Sequence, residues 1–255
     1  MARLLVSSPV PVFSEPIRSA RSLSHRVSRL LDQIDCRLAE TGEEREAIFR
    51  LRHRAYMREG AISENSSGTF SDRYDETGNG FLFGFYIDGQ LASSIRVHVA
   101  SKEHPDFTSL EAFSDFLQPE LNAGKVIVDP TRFVTDDTIS RLYPALPYVT
   151  LRVAAMACEY FNADHLLATV RREHQTFYRR AFHHQLICEA RPYPGLTKPL
   201  SLMMMHFPTL AEPLSQRYPF FCSTSVERRL LFGRYHPSIS PPKAVDDEPT
   251  PGSWR

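Results

Sequence analysis

Two apolar runs, residues 80–87 (GFLFGFYI) and 90–99 (QLASSIRVHV), flank the dipeptide Asp88-Gly89. An Asp-Gly pair between hydrophobic runs is the strongest short turn signal in this chain, because a two-residue hairpin loop needs positive φ at its centre. The chain is thereby committed to an antiparallel hairpin. The charges around that hairpin need a reason. Asp72 and Asp75 lie just before the first run, and Arg96 lies inside the second. A strand that only had to bury itself has no use for them, and they read as one wall of a polar site.

The neighbouring elements follow from periodicity and punctuation. Residues 22–35 carry Leu23, Val27, Leu30, Leu31 and Ile34 at helical spacing. Residues 36–40 (CRLAE) read as a strand. Thr41 with Glu44 three residues on forms a capping-box signature at the start of a long helix. Ala47, Ile48, Leu51, Ala55 and Tyr56 make that helix's apolar face, and Gly60 suits its stop. Residues 61–79 are a polar loop. After the hairpin, residues 109–124 are helical or irregular. Residues 125–134 (KVIVDPTRFV) read as a strand with a bulge or an end at Asp129-Pro130, since proline donates nothing to a ladder. A helix over 146–162, a strand over 164–170, a short helix over 173–182 and strands over 184–190 and 201–207 complete the order. The pattern predicts an α/β (α+β) fold with a mixed central sheet of six to seven strands flanked by helices. Residues 1–35 are expected to be an N-terminal extension with a short helix, and 36–210 the folded body. Residues 211–255 form a C-terminal extension, with disorder from about 237, where proline accumulates.

Composition narrows the function classes. The 255 residues carry 30 basic and 30 acidic side chains, so net charge gives no reason to expect a nucleic-acid partner. Cys36, Cys158, Cys188 and Cys222 form no C-x-x-C pair, and Cys158 and Cys188 sit in apolar runs as reduced core residues. His183-His184 has no ligand partners at recognisable spacing, so no metal is expected. No signal peptide is recognisable, and no run approaches the roughly 20 apolar residues of a membrane span. A cytoplasmic protein is expected, with peripheral membrane contact left open.

Four short segments then coincide: LRHRAY at 51–56, DRYD at 72–75, SSIRV at 93–97 and DPTR at 129–132. In this order they resemble the acyl-homoserine lactone (autoinducer) synthases and, more nearly, the long-chain N-acyl amino acid synthases, both of the GNAT acyltransferase superfamily. The resemblance covers residues 37 to 208. It rests on Arg52 and Tyr56, Asp72 and Asp75, Arg96, and Asp129 and Arg132. Two departures favour the amino acid branch: Ile62 stands near the position where the lactone synthases carry a tryptophan, and the central-strand acid is Asp129 where those enzymes often have Glu. Acetyl-CoA enzymes of the superfamily hold the diphosphate on a glycine-bearing loop with a helix N-terminus behind it. This chain has no glycine between Lys125 and Pro194. The resemblance therefore implies a GNAT-like fold and an acyltransferase with no bound cofactor. A fatty acyl group would pass from acyl carrier protein, as a phosphopantetheine thioester, to the α-amine of an amino acid.

Amine acylation needs a proton acceptor, an anchor for the acceptor and stabilisation of an oxyanion. Asp129 is the first choice for the base. A bulge beside it would free backbone N–H groups for the thioester oxygen. Arg132 or Arg96 can clamp the acceptor's carboxylate. Asp75 and Asp72 can hold those arginines or the acceptor's ammonium, with Arg52 and Tyr56 joining from the long helix. Each has a plainer alternative as a cap, a turn residue or a structural ion pair. Met203 and Met205 face one way on their strand and suit an acyl tunnel, with core packing as the alternative. Arg171, Arg172, Arg179 and Arg180 could dock an acidic carrier protein or be a solvated helix face. His174 is a candidate second proton-transfer group. The rival readings are a lactone synthase, an acetyl-CoA-dependent acetyltransferase and a non-catalytic ligand-binding domain.

Overall fold

The structure, a computed structural model, describes residues 18–233. Its centre is a seven-stranded sheet. In chain order the strands are β1 (Ile34–Leu38), β2 (Gly80–Ile87), β3 (Gln90–Ala100), β4 (Ile127–Thr135), β5 (His165–Val170), β6 (Gln185–Arg191) and β7 (Leu200–His206). They lie side by side as β1-β2-β3-β4-β5-β7-β6. Every pair is antiparallel except β4 with β5. Helices α1 (Arg18–Leu31), α2 (Gly42–Arg58), α3 (Thr108–Asn122), α4 (Asp137–Leu142), α5 (Leu146–Tyr160), α6 (Gln175–Phe182), α7 (Phe207–Arg217) and α8 (Ser225–Phe232) flank it.

The β2–β3 hairpin turns on Asp88 (φ 50°) and Gly89 (φ 75°), the conformation a two-residue loop requires. Its apolar positions alternate onto one face. Phe81, Phe83, Phe85, Ile95, Val97 and Val99 pack with α5 in the main core, each fully buried side chain of this kind contributing about 1.5–3 kcal/mol. The opposite face carries α2 and α3. There Leu51 and Ala55 meet Val134, and Phe113, Leu117 and Leu121 meet Ile127, Leu167 and Leu202. The capping box of α2 forms as expected: Glu44 N donates to Thr41 Oγ1 at 3.2 Å and Thr41 N to Glu44 Oε2 at 3.1 Å.

Several boundaries differ from the sequence reading. Ile34 opens β1 instead of closing a helix, and Ala47 is exposed on α2. Helix α7 spans residue 210, where the folded body was expected to end. Its Leu214, together with Phe220, Phe221 and Phe232 beyond it, joins the main core. Their aromatic surface is what ties this segment to α5. Val27 and Leu30 of α1 are in the same core. The stretch expected to be disordered from 237 lies outside the described residues. All four cysteines are free.

Two irregularities in β4 shape the polar face of the sheet. First, β4 pairs with β5 only at Ile127 with His165 and Val128 with Leu166; beyond Val128 the two strands part. A residue without an N–H is tolerated there, and Pro130 keeps its register opposite Val97. Second, Thr131 pairs with Arg96 and Val134 with Ser94, so Arg132 and Phe133 together oppose Ile95. The bulge thus sits at Arg132 (φ 53°), not at Asp129-Pro130. A bulge re-aims a side chain, and here that side chain is a guanidinium.

Candidate active site

The polar face of the sheet is built around a short 3₁₀ turn, Arg73–Glu76, that precedes β2. Asp72 caps it by accepting from Tyr74 N at 3.0 Å, and Asp75 reaches back to Asp72 N at 2.9 Å. This reciprocal cap holds both carboxylates with free oxygens aimed at the sheet. Three arginines converge on them. Arg52 of α2 gives Nη1 to both oxygens of Asp75 at 2.8 and 2.9 Å. Arg96 of β3 grips Asp72 through Nη1 at 2.6 Å and Nη2 at 3.2 Å, and its Nη1 lies 2.9 Å from Asp75 Oδ1. Arg132, turned by the bulge, gives Nε and Nη2 to Asp72 Oδ2 at 3.0 and 2.7 Å. Arg96 is also held by Thr108 Oγ1 at 2.7 Å and Thr131 Oγ1 at 3.3 Å, and Arg132 by Pro194 O at 2.9 Å. Tyr56 meets Phe70 edge-on at 5.2 Å, and Phe70 lies under the Arg132 guanidinium at 5.0 Å.

Burial gives these contacts their force. Arg52 is 0% exposed, and the Asp72 side chain, at 19%, is the most open of the group. Burial alone would raise Asp72, but the Arg96 and Arg132 guanidiniums outweigh it and hold the carboxyl well below its usual range. Asp75 is likewise lowered, with Arg52 and Arg96 overcoming burial. Burial pushes Arg52 down from the usual guanidinium range against the pull of Asp75. Three guanidiniums thus face these two lowered carboxylates. His98, one turn of the pleat from Arg96, is buried and pushed down to about 3 by burial and by Arg96, so it is neutral. Its Nε2 lies 3.0 Å from Thr77 Oγ1 and 3.1 Å from Tyr74 O, pinning the 3₁₀ turn to β3.

Asp129 is different. It sits where β4 and β5 begin to part, 0% exposed. Its Oδ2 accepts from Ser109 N at 3.4 Å, and its Oδ1 has no partner. Burial raises the carboxyl to about 6 against the lowering influence of Ser109, Arg96 and Arg132. A carboxyl of that proton affinity with an unpaired oxygen can take and return a proton at neutral pH.

The structure therefore brings Arg52, Tyr56, Asp72, Asp75, Arg96, Asp129 and Arg132 together from α2, the 3₁₀ turn, β3 and β4. Met203 and Met205 are not with them. Both are fully buried on the other face of the sheet: Met203 packs with Ala168, Val170 and Tyr178, and Met205 lies in the main core. Of the four arginines around α6, Arg171 is half-buried and paired with Glu59 and Glu173 at 3.1 Å each. Arg172, Arg179 and Arg180 are exposed. His174 is 3.1 Å from Arg171 Nη2 and lies outside the cluster. Thr108, Ser109, Phe70, Tyr193 and Pro194 join the site without having been singled out in the sequence. The only signal was the Pro-Tyr-Pro-Gly run at 192–195, whose Gly195 (φ 74°) turns the chain against Arg132.

A family model described as N-acyl amino acid synthase FeeM matches residues 47–206. The chain belongs to the FeeM family. The matched stretch runs from α2 to the end of β7 and contains the whole cluster. Among solved structures, FeeM, an N-acyl amino acid synthase from uncultured soil microbes, superposes with a TM-score of 0.58 at 17% identity, over 70% of this chain and 93% of that one. A CoA-dependent acyl-homoserine lactone synthase, BjaI, with SAM and isopentyl-CoA, gives 0.50 at 14% identity over 73% and 89%. At such identities the superpositions establish a shared GNAT-like fold. A search of curated proteins finds no match. Among the described residues of this FeeM-family chain, no helix is long and apolar enough to cross a membrane, and no three His, Cys, Asp or Glu side chains gather as metal ligands.

Proposed function

We propose that the chain is an N-acyltransferase that joins a fatty acyl group, delivered as a thioester on acyl carrier protein, to the α-amine of an amino acid. The observation that carries this reading is the contrast within one cluster. Asp72 and Asp75 are held by guanidinium groups, while Asp129 keeps a buried, unpartnered oxygen. In the proposed reaction the acceptor amine attacks the thioester carbonyl carbon and its proton passes to Asp129 Oδ1. The C–S bond of the tetrahedral intermediate then breaks, and the proton returns from Asp129 to the leaving thiolate.

The acceptor's carboxylate falls to Arg132. Arg96 has all three nitrogens engaged by Asp72, Asp75, Thr108 and Thr131, whereas Nη1 of Arg132 takes no part in the bonds to Asp72 and Pro194. Asp72 and Asp75 hold arginines and are not free for the acceptor's ammonium.

A carrier-protein donor is supported by how α4 and α5, two of the three helices in the glycine-free stretch, begin. The first N–H groups of α4 are taken by its own Asp136, which accepts from Thr138 N and Ile139 N, and Asp137 adds a second negative charge. At α5, Leu146 N donates to Tyr143 O, Pro147 has no N–H, and Tyr148 N donates to Ala145 O. Neither start offers donors to a diphosphate. Arg172, Arg179 and Arg180 are the exposed cations available to an acidic carrier.

Mass spectrometry of lipid extracts from a host expressing the wild type and Asp129→Asn tests the reading. N-acyl amino acids in the first and none in the second are expected. Acyl-homoserine lactones, or equal products from both, would overturn it. Purified enzyme given the same acyl chain on carrier protein and on CoA should turn over the former faster; the reverse would refute the donor assignment.

A further inference from the structure

Helix α3 begins with Phe107 at its N-cap, and no side chain of its own caps it. The missing cap is supplied from another element: Asp129, on β4, accepts from Ser109 N in the first turn. The hydroxyl of the same Ser109 lies 3.1 Å from Tyr193 Oη. Tyr193, in the β6–β7 connection, is buried and also interacts with the hydroxyl of Thr169 on β5, across the gap that opens beyond Val128. Its neighbour Pro194 receives Arg132 Nη2, and Thr197 N donates to Ala61 O at 2.9 Å, so the connection is strapped to the end of α2.

We propose that Ser109 and Tyr193 are positioning residues for Asp129, holding Oδ2 so that Oδ1 stays unpaired and aimed into the site, and setting the proton affinity of the carboxyl. The inference rests on the reading of Asp129 as the base and deepens it. Ser109 N–H gives its proton to the carboxylate, the Ser109 and Tyr193 hydroxyls, either of which can donate, hold each other beside it, and the backbone and side chain of Ser109 both favour the charged form of Asp129. Tyr193 is a competent donor because burial, with Asp129 nearby, keeps its phenol protonated. Burial alone favours a neutral Asp129; the α3 N-terminus and the hydroxyl pair oppose it. The balance of the two leaves a base that titrates close to neutrality. The other groups facing the carboxyl are Arg96 and the neutral His98 from β3 and Arg132 from β4. Arg132 lies 5.8 Å over the Tyr193 ring, and Tyr193→Phe keeps that ring in place.

The test is the pH dependence of kcat in the full-length Ser109→Ala and Tyr193→Phe enzymes, together with the ionisation of Asp129. The latter is read from the ¹³C shift of its carboxyl in aspartate-labelled protein and assigned by its loss in Asp129→Asn. The acid limb and the ¹³C midpoint should both move upward, by about one pH unit in Ser109→Ala and by less in Tyr193→Phe. Tyr193→Phe keeps the ring and its packing, so it carries the test if Ser109→Ala does not fold. A lower kcat at every pH, with limb and midpoint unmoved, would overturn the inference. If Asp129→Asn retained full activity, Asp129 would not be the base. The ¹³C midpoints would still decide whether Ser109 and Tyr193 govern its ionisation, so the two failures are distinguishable.

Discussion

On β3, Ile95, Val97 and Val99 point into a cluster of aliphatic and aromatic side chains beneath α5, while Arg96 and His98, one residue away, point at carboxylates and carbonyl groups. The same alternation continues on β4, where Val128 joins the apolar core and Asp129 faces the site. Both faces are equally dry, yet their energetics differ. Burial of the first face drives folding. Burial of the second costs desolvation that ion pairing barely recovers, and buried pairs can often be replaced by hydrophobic groups without loss of stability. An arrangement of three arginines and three aspartates is therefore poorly explained as a device for holding the fold together. It is well explained by chemistry that needs charge fixed in place.

The largest effect should come from breaking the polar face unevenly. Arg96→Ala leaves Asp72 and Asp75 short of their shared cation and should destabilise the protein by about 3–5 kcal/mol in urea unfolding. Neutralising the whole network together (Arg52→Met, Arg96→Met, Arg132→Met, Asp72→Asn, Asp75→Asn) should cost less than the sum of the single losses, because no buried charge is stranded. A loss equal to that sum would mean the network does stabilise the fold. Ile95→Ala, one residue away, should also cost about 2–5 kcal/mol, but at every pH and with activity per folded molecule unchanged.

The pH dependence of stability sharpens the contrast inside the polar face. Asp72 and Asp75 are lowered in the folded state. Their stabilisation is present above the unfolded carboxyl range and is lost as the pH falls through their folded values. Asp129 has the opposite sign. Raised to about 6 when folded, it binds a proton that the unfolded chain has already released. Stability therefore declines by about 3 kcal/mol as the pH rises from roughly 4 to 6. Asp129→Asn should abolish that decline and leave the protein more stable than wild type at pH 7, as measured by urea midpoints across the range. A decline that persists in the variant would contradict the assignment.

The smallest effect is expected at Gly195. It has φ 74°, and a Cβ there would lie 3.2 Å from Phe70 Cζ and 3.3 Å from Arg132 Nη2. Gly195→Ala should cost about 1 kcal/mol through backbone strain. By displacing Arg132 it should also raise KM for the acceptor more than it lowers kcat.

The hairpin, the capped α2 and the strand–helix order were legible in the sequence because each is written in local chemistry: an Asp-Gly turn, a Thr-x-x-Glu cap, an apolar period. The Asp-x-x-Asp pair and the three arginines were legible only in combination, since each alone is a common surface pattern. The position of the bulge was not. Proline marked where the ladder could fail, but the extra residue went to Arg132, and only the tertiary pull of Asp72 distinguishes the two positions. Ser109 and Tyr193 were invisible for a related reason. They meet across 84 positions of chain, and nothing local in either segment announces the other. The methionine pair was misleading because strand alternation tells which residues share a face without telling which face it is.

The most direct test of this two-faced design uses two adjacent residues of β4. Val128→Ala should lower the unfolding midpoint and leave kcat per folded molecule intact. Asp129→Asn should reduce N-acyl amino acid formation by about 10²–10⁴-fold with no loss of stability. Should Asp129→Asn instead stay active, or lose activity only in proportion to lost fold, the polar face would not be the seat of the chemistry.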